Sequence, residues 1–404
     1  MMRLRWLAIV LGAALSLGAV AQDGPTIMDM DTVRHQPTQV GEAKVPAGTV
    51  ELVPGRLGQA CRFSFIEEAR SGFFTAWVNA TEDWDQADGI SFWVQGDGSE
   101  SWGGLELIDG EDYSLRYGYC FPIDSTEWRR ITIPWRDLVP EHPAAPLMDP
   151  QTGYKPSRLR NLWFGKWWYW PTYPAHSYAI DQIALEPKIE TDTTDYTPEG
   201  SGLARTVAKL KAGEPVTIVT MGDSLSAKEH WANREVLWSS LLEQKLEEQY
   251  DSAATVVNVA IGGTTLNANL VLMPRWLKTT PKPDLVTVWF GYNDWDGGMR
   301  GAHFREMLAY AVDRIRRMTG GGSEVLLLTT CPALKRWEEM AELAEAGRAV
   351  ASARRTGLAD IEAAFHAAGA EEAARQELYA WDATHLGPAG HELVAETVRS
   401  ALSE

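Results

Sequence analysis

Residues 215–225 constrain the fold more tightly than any other stretch: Pro215-Val216-Thr217-Ile218-Val219-Thr220 runs into Met221-Gly222-Asp223-Ser224-Leu225. An apolar and β-branched run without alternation describes a strand buried on both faces, and the Gly-Asp-Ser turn then sets a hydroxyl at its carboxyl end. An amphipathic stretch at 231–250 reads as the helix that follows. Ligands of open α/β sheets sit outside the carboxyl ends of the strands, so Ser224 is a candidate nucleophile. The plainer reading is a serine that only caps a helix.

The rest of the C-terminal half repeats this alternation. Strand-like runs at 215–221, 254–261, 284–290 and 324–330 alternate with helical patterns near 231–250, 303–318 and 335–355, and a final helix is expected from about 388 to 402 behind Gly387-Pro388. Helical crossovers between such strands imply a parallel sheet covered on both faces, a three-layer α/β domain over 213–404.

Three polar blocks follow the Gly-Asp-Ser turn in order: Asn258-Val259-Ala260-Ile261-Gly262-Gly263-Thr264, Gly291-Tyr292-Asn293-Asp294, and Asp382-Ala383-Thr384-His385. Together the four blocks resemble the SGNH (GDSL-type) esterase and lipase family over roughly the C-terminal half of the chain. The resemblance implies Ser224 as nucleophile, His385 as base and Asp382 as its acid. It further implies an oxyanion hole made by Ser224, Gly263 and Asn293, with Gly262 standing beside Gly263 as a competitor for that role. Chemistry supports each residue type: a serine hydroxyl needs an imidazole to take its proton, and the imidazole needs a carboxylate to fix its tautomer. A glycine N–H and an uncharged amide donate without titrating, and a helix start after Ser224 would favour its N–H. Singly, each residue also has an ordinary reading: Asn293 as a turn former, Gly263 as a loop glycine, His385 on the surface, Asp382 at a helix entry. Asp223 reads as a turn-shaping residue, and His230, with Glu229 as its neighbouring carboxylate, is a rival base.

Residues 1–21 carry Arg3 and Arg5, an apolar run from 6 to 20 and the ending Ala19-Val20-Ala21, the pattern of a secretory signal peptide. The expected protein is secreted or periplasmic, with no membrane anchor. A net charge of −18 argues against nucleic acid and anionic membrane as partners, because both would be repelled. Three cysteines leave at least one unpaired; Cys61 and Cys120 could pair if their strands are neighbours, and Cys331 reads as a small buried hydrophobe.

Over 22–187 short alternating segments separated by Gly, Asp, Pro and Ser give an all-β sandwich signature. Phrases such as Asp88-Gly89-Ile90-Ser91-Phe92-Trp93 and Ile131-Thr132-Ile133-Pro134-Trp135 resemble jelly-roll carbohydrate-binding modules of the galactose-binding-like type. Such a domain either binds sugar or braces the enzyme. The cluster Trp163-Phe164-Gly165-Lys166-Trp167-Trp168-Tyr169-Trp170 alternates rings on both faces of a strand, and one set, with Trp167, Trp168 and Trp170 as candidates, is expected to be an exposed platform. The resemblance also implies a structural calcium ion, with Asp29 or Asp31 and Asp181 as its candidate carboxylates; no cofactor is expected for catalysis and no catalytic metal. A Thr/Asp-rich, Pro/Gly-punctuated stretch at 188–212 reads as linker.

The expected activity is deacetylation of a carbohydrate or polysaccharide by Ser-His-Asp acyl transfer to water, with Trp295 and Trp381 near the site as candidate sugar contacts. Two alternatives stand beside it: a lipase or short-chain esterase whose β-domain is only structural, and a carbohydrate-binding protein whose SGNH half is inactive.

Overall fold

The computed structural model describes residues 24–67, 71–110, 113–143, 145–148, 155–167, 174–251 and 253–403. The signal-peptide reading, Trp168 and Trp170 lie outside them. The N-terminal part is a sandwich of two antiparallel six-stranded sheets. One sheet runs Arg129–Pro134, Gly89–Gly96, His176–Glu186, Gln59–Phe65, Gly48–Pro54, with Thr26–Met28 added against His176–Glu186; the other runs Val139–Pro140, Arg116–Pro122, Trp102–Asp109, Leu159–Lys166, Gly72–Trp77, Gln36–Pro37. Alternation explains the core between them: Phe63, Phe74, Phe92, Phe121, Phe164 and Tyr178 point inward from strands of both sheets.

The second sheet is buried on its outer face as well. Phe73, Trp102, Cys120, Val139 and Trp167 join one apolar cluster with Leu266, Leu270, Val271, Met273 and Trp276 of the C-terminal part. Polar contacts fix the same seam: Asn267 Nδ2 donates to the Pro140 carbonyl (2.7 Å), Arg314 to the Asp137 carbonyl (3.0 Å) and Tyr310 to the Arg136 carbonyl (2.8 Å). This double burial overturns the platform expectation at Trp167. Trp167 is 2% exposed and donates its indole N–H to Glu141, so it is packing at the seam and no platform. Trp163 and Phe164 both pack, one toward the C-terminal part and one into the sandwich, because the sheet has protein on both sides.

Cys61 and Cys120 do not pair. Their strands belong to different sheets, and Cys61 points its thiol at the Met30 carbonyl while Cys120 donates to the Val271 carbonyl across the seam (2.9 Å). Cys331 is buried among apolar side chains, as expected. The candidate calcium carboxylates serve a turn: Asp31 accepts from Gln59 N–H (2.6 Å) and Asp181 from Leu57 N–H (2.9 Å). Among the described residues no group of three or more His, Cys, Asp or Glu side chains could hold a metal ion, although Asp181 Oδ1 is buried without a hydrogen-bond partner.

The stretch read as linker has no regular structure until the helix Ala204–Lys211, whose first N–H groups, those of Arg205 and Thr206, donate to Glu324. Beyond it stands a five-stranded parallel sheet: β1 Val216–Gly222, β2 Ala254–Asn258, β3 Leu285–Trp289, β4 Glu324–Leu328 and β5 Gly357–Ala359, in the order β2-β1-β3-β4-β5. The order of strand addition reverses at β1, which lies between β2 and β3, the switch point at which such sheets open a crevice at their carboxyl ends. The helices Trp238–Tyr250 and Pro388–Ala401 pair with each other, as do Gly301–Met318 and Ala341–Arg354, and the two pairs belong to separate apolar clusters. Among the described residues no helix is long and apolar enough to cross a membrane.

Candidate active site

Three loops meet at the carboxyl ends of β1, β2 and β3. After β1 the chain turns tightly, with Ser226 and Ala227 N–H both donating to the Asp223 carbonyl, and Asp223 Oδ1 accepting from Leu225 N–H (2.9 Å). That is the Asx-type turn expected of Asp223. Burial pushes its carboxyl up to about 6, with the Leu225 N–H and nearby His385 working in the opposite direction.

The helix does not follow the serine directly. It begins only at Trp238, and between lie an irregular loop and a short 3-10 turn, Trp231–Asn233. The reason is Asn233, which is buried and donates its amide to the carbonyls of Ser224 (2.8 Å) and Ala227 (2.7 Å), closing residues 224–233 into a compact loop. The expected helix-dipole assistance to the Ser224 N–H is therefore absent, since such an effect fades beyond the first turn.

Asp382, His385 and Ser224 stand in line. Asp382 Oδ1 accepts from the N–H groups of Thr384 (3.1 Å) and His385 (3.0 Å), and Oδ2 accepts from His385 Nδ1 (2.5 Å). Ala383 at φ 64° lets the chain double back between them, a left-handed conformation that alanine rarely adopts. Since Nδ1 keeps its proton and donates it to the carboxylate as a hydrogen bond, Nε2 keeps its lone pair and accepts from the Ser224 hydroxyl at 2.9 Å. Burial alone would raise the Asp382 carboxyl, but the hydrogen bonds from His385 and Thr384 prevail and hold it below the usual range.

The remaining implied donors gather at the same cavity, of about 230 Å³, lined by Ser224, Gly263, Tyr292, Asn293, Thr384 and His385 among others. Gly263 adopts φ 74°, a conformation glycine takes without strain. A Cβ on Gly262 would meet the Ser224 Cβ at 3.7 Å, so that glycine also stands near the serine. Asn293 is anchored by donating Nδ2 to the Thr264 carbonyl (2.9 Å) and stands at the start of a short helix after Gly291. Gly291, at φ 153°, allows no side chain, because a Cβ there would lie 2.2 Å from Thr330. Beneath this loop Asp294 is buried and accepts from Leu266 N–H; burial, less the bond from Leu266 and reinforced by Asp223, pushes it up to about 7.

His230 also lines the cavity, stacked on His385 at 4.1 Å between ring centroids. Its Nδ1 accepts from Ala232 N–H (3.4 Å), and burial together with the adjacent His385 pushes its pKa down to about 4. A ring so weakly basic, whose free edge makes no bond to Ser224, does not fit the rival-base reading. Trp231 meets His385 edge-on at 5.8 Å and stacks on Trp381 at 5.2 Å. Trp381 is 86% exposed, whereas Trp295 packs against the core with the guanidinium groups of Arg300 and Arg336 over its ring, outside the cavity. Of the two tryptophans expected near the site, Trp381 stands beside Trp231 at its rim and Trp295 lies outside the cavity, while Trp231 and Asn233 stand there unforeseen. The only sequence signal for Trp231 was its position next to His230.

Residues 220–393 match the model of the GDSL-like lipase/acylhydrolase family, and residues 56–162 match that of the family 11 carbohydrate binding domain. The first match spans all five residues of the implied serine machinery. Similar solved structures include a lipase/acylhydrolase from Enterococcus faecalis, at 21% identity over 46% of this chain and 95% of that one, TM-score 0.39. Another is an acetylxylan esterase from Geobacillus stearothermophilus, at 19% identity over 48% of this chain and 97% of that one, TM-score 0.38. A third is a psychrotrophic esterase from Pseudoalteromonas sp., at 18% identity over 46% of this chain and 96% of that one, TM-score 0.38. No curated protein sequence matches the chain.

Proposed function

We propose that this ester hydrolase, a GDSL-like lipase/acylhydrolase domain braced by a carbohydrate-binding-like sandwich, is an exported serine esterase that removes acetyl groups from a carbohydrate. The observation that carries the mechanism is the continuous line Asp382–His385–Ser224, at 2.5 and 2.9 Å, ending in a small cavity. Ser224 Oγ attacks the ester carbonyl as its proton passes to His385 Nε2, and Asp382 stabilises the resulting imidazolium. The carbonyl oxygen, now an oxyanion, is met by the Ser224 and Gly263 N–H groups and the Asn293 amide. Collapse breaks the bond to the leaving alcohol, whose oxygen takes the proton from Nε2. Water then repeats the sequence on the acetyl-serine, releasing acetate and restoring the Ser224 hydroxyl.

Substrate class rests on two features. The sandwich matches a carbohydrate-binding family, and the cavity at the serine, about 230 Å³, suits a short acyl group. A second reading, an esterase for longer acyl chains with a purely structural sandwich, is favoured by a cleft of about 470 Å³ beside the Gly262–Gly263 turn. Val259, Ile261, Leu272, Trp276 and, from the sandwich, Trp102 give it an apolar wall, with Glu100, Lys228, Glu229 and Arg275 at the same cleft. Export rests on the sequence pattern of residues 1–21.

A series of model esters from acetyl to dodecanoyl, together with acetylated polysaccharides, separates the two readings. The acetyl reading expects kcat/KM to be highest for acetyl and to fall beyond butyryl, with acetate released from at least one polysaccharide and none by Ser224→Ala. Activity rising toward octanoyl, where each buried methylene adds about 0.8 kcal/mol, would establish the longer-chain reading instead.

A further inference from the structure

Resting on the carbohydrate reading above, we infer that His230, Trp231 and Trp381 form the subsite that holds the sugar ring carrying the ester. The argument starts from where the leaving oxygen must be. His385 Nε2, which takes the Ser224 proton, returns it to that oxygen, so the sugar ring lies against whatever flanks His385 on the solvent side. Three rings flank it: His230 face-on at 4.1 Å, Trp231 edge-on at 5.8 Å, and Trp381 continuing the wall by stacking on Trp231 at 5.2 Å.

The two indoles are 40% and 86% exposed, an unusual position for such large apolar groups side by side. Neither is needed to bury a core, and both offer faces that complement the C–H faces of a pyranose. His230 adds the polar element. Because its Nδ1 accepts from Ala232 N–H, the neutral ring, which lines the cavity at Ser224, carries its proton on Nε2. No described residue accepts from that N–H, which leaves it to donate to a sugar oxygen. One donor beside a stacking wall is the arrangement by which a sugar is both gripped and oriented.

The test compares full-length wild type, Trp231→Ala, Trp381→Ala, His230→Gln and His230→Phe on acetylated xylo-, manno- and cello-oligosaccharides and on ethyl acetate. Ethyl acetate has the same acyl group but no ring to stack. For each tryptophan variant the ratio of kcat/KM on the preferred oligosaccharide to that on ethyl acetate is expected to fall about threefold to tenfold, mainly through KM. His230→Gln, which keeps a donor, is expected to lose less of that ratio than His230→Phe. A wild type that turns over oligosaccharides while Trp381→Ala keeps the full ratio, or equal losses for Gln and Phe at 230, would overturn the subsite alone. A wild type that hydrolyses ethyl acetate but none of the oligosaccharides would overturn the carbohydrate reading, and the subsite with it.

Discussion

Replacing Asn233 with alanine tests how the serine loop is held. The Asn233 amide is the donor to two carbonyls, those of Ser224 at 2.8 Å and Ala227 at 2.7 Å, and the side chain is 4% exposed. An acceptor left unpaired in a buried site costs about 1–3 kcal/mol, so losing both bonds should cost about 2–6 kcal/mol. For a domain of this size each kcal/mol corresponds to about 2–4 °C, which places the fall in Tm at about 4–24 °C by calorimetry. Activity should fall as well, because Ser224 must stay within reach of His385 Nε2 and a displacement of 1 Å costs roughly 100-fold in rate. Asn233→Asp keeps the shape but cannot donate, and should do at least as badly. If both variants melt within about 1 °C of wild type and keep kcat, the loop is held by its backbone turns alone and the account of the delayed helix is wrong.

Within the proposed triad, His385→Ala and Ser224→Ala should each lower kcat about 10⁴-fold or more, and Asp382→Asn less; His230→Ala matching His385→Ala would reassign the base. The buried carboxyls of Asp223 and Asp294, raised from 3.8 to about 6 and about 7, bind protons more tightly in the folded chain than in the unfolded one. They therefore contribute stability that is present at low pH and declines as pH rises from about 4 to about 7, and Asp294→Asn should flatten that decline in Tm; an unchanged slope would contradict it. Residues 24–187 expressed alone would expose Phe73, Trp102, Val139 and Trp167 together, so the isolated sandwich should self-associate in sedimentation, whereas a monodisperse monomer would show the seam to be dispensable.

Both architectures were legible in the sequence because each rests on periodicity. The apolar run before Ser224 and the alternation through Phe63, Phe92 and Phe164 carry their strand assignments locally. The implied site residues were legible for a different reason, as motif blocks in order, and their convergence follows from the β2-β1-β3 order that brings three loops to one edge. What stayed hidden depends on tertiary contacts. Trp167 looked like a platform because a lone strand has two faces to account for, and only the docked second domain covers the other one. Asn233 looked helical because nothing local reveals that its amide is spent on the Ser224 carbonyl. Trp231 and Trp381 are 150 positions apart in the chain, and their stacking is invisible until both loops reach His385.

The central claim, that Ser224 is a nucleophile activated by His385, is met most directly by covalent trapping. Intact-mass measurement after treatment with a fluorophosphonate should show one adduct per chain, digestion should place it on the peptide containing Ser224, and the adduct should be absent from Ser224→Ala and form far more slowly in His385→Ala. An adduct on another residue, or full acetate release by a Ser224→Ala protein that takes up no label, would contradict the account.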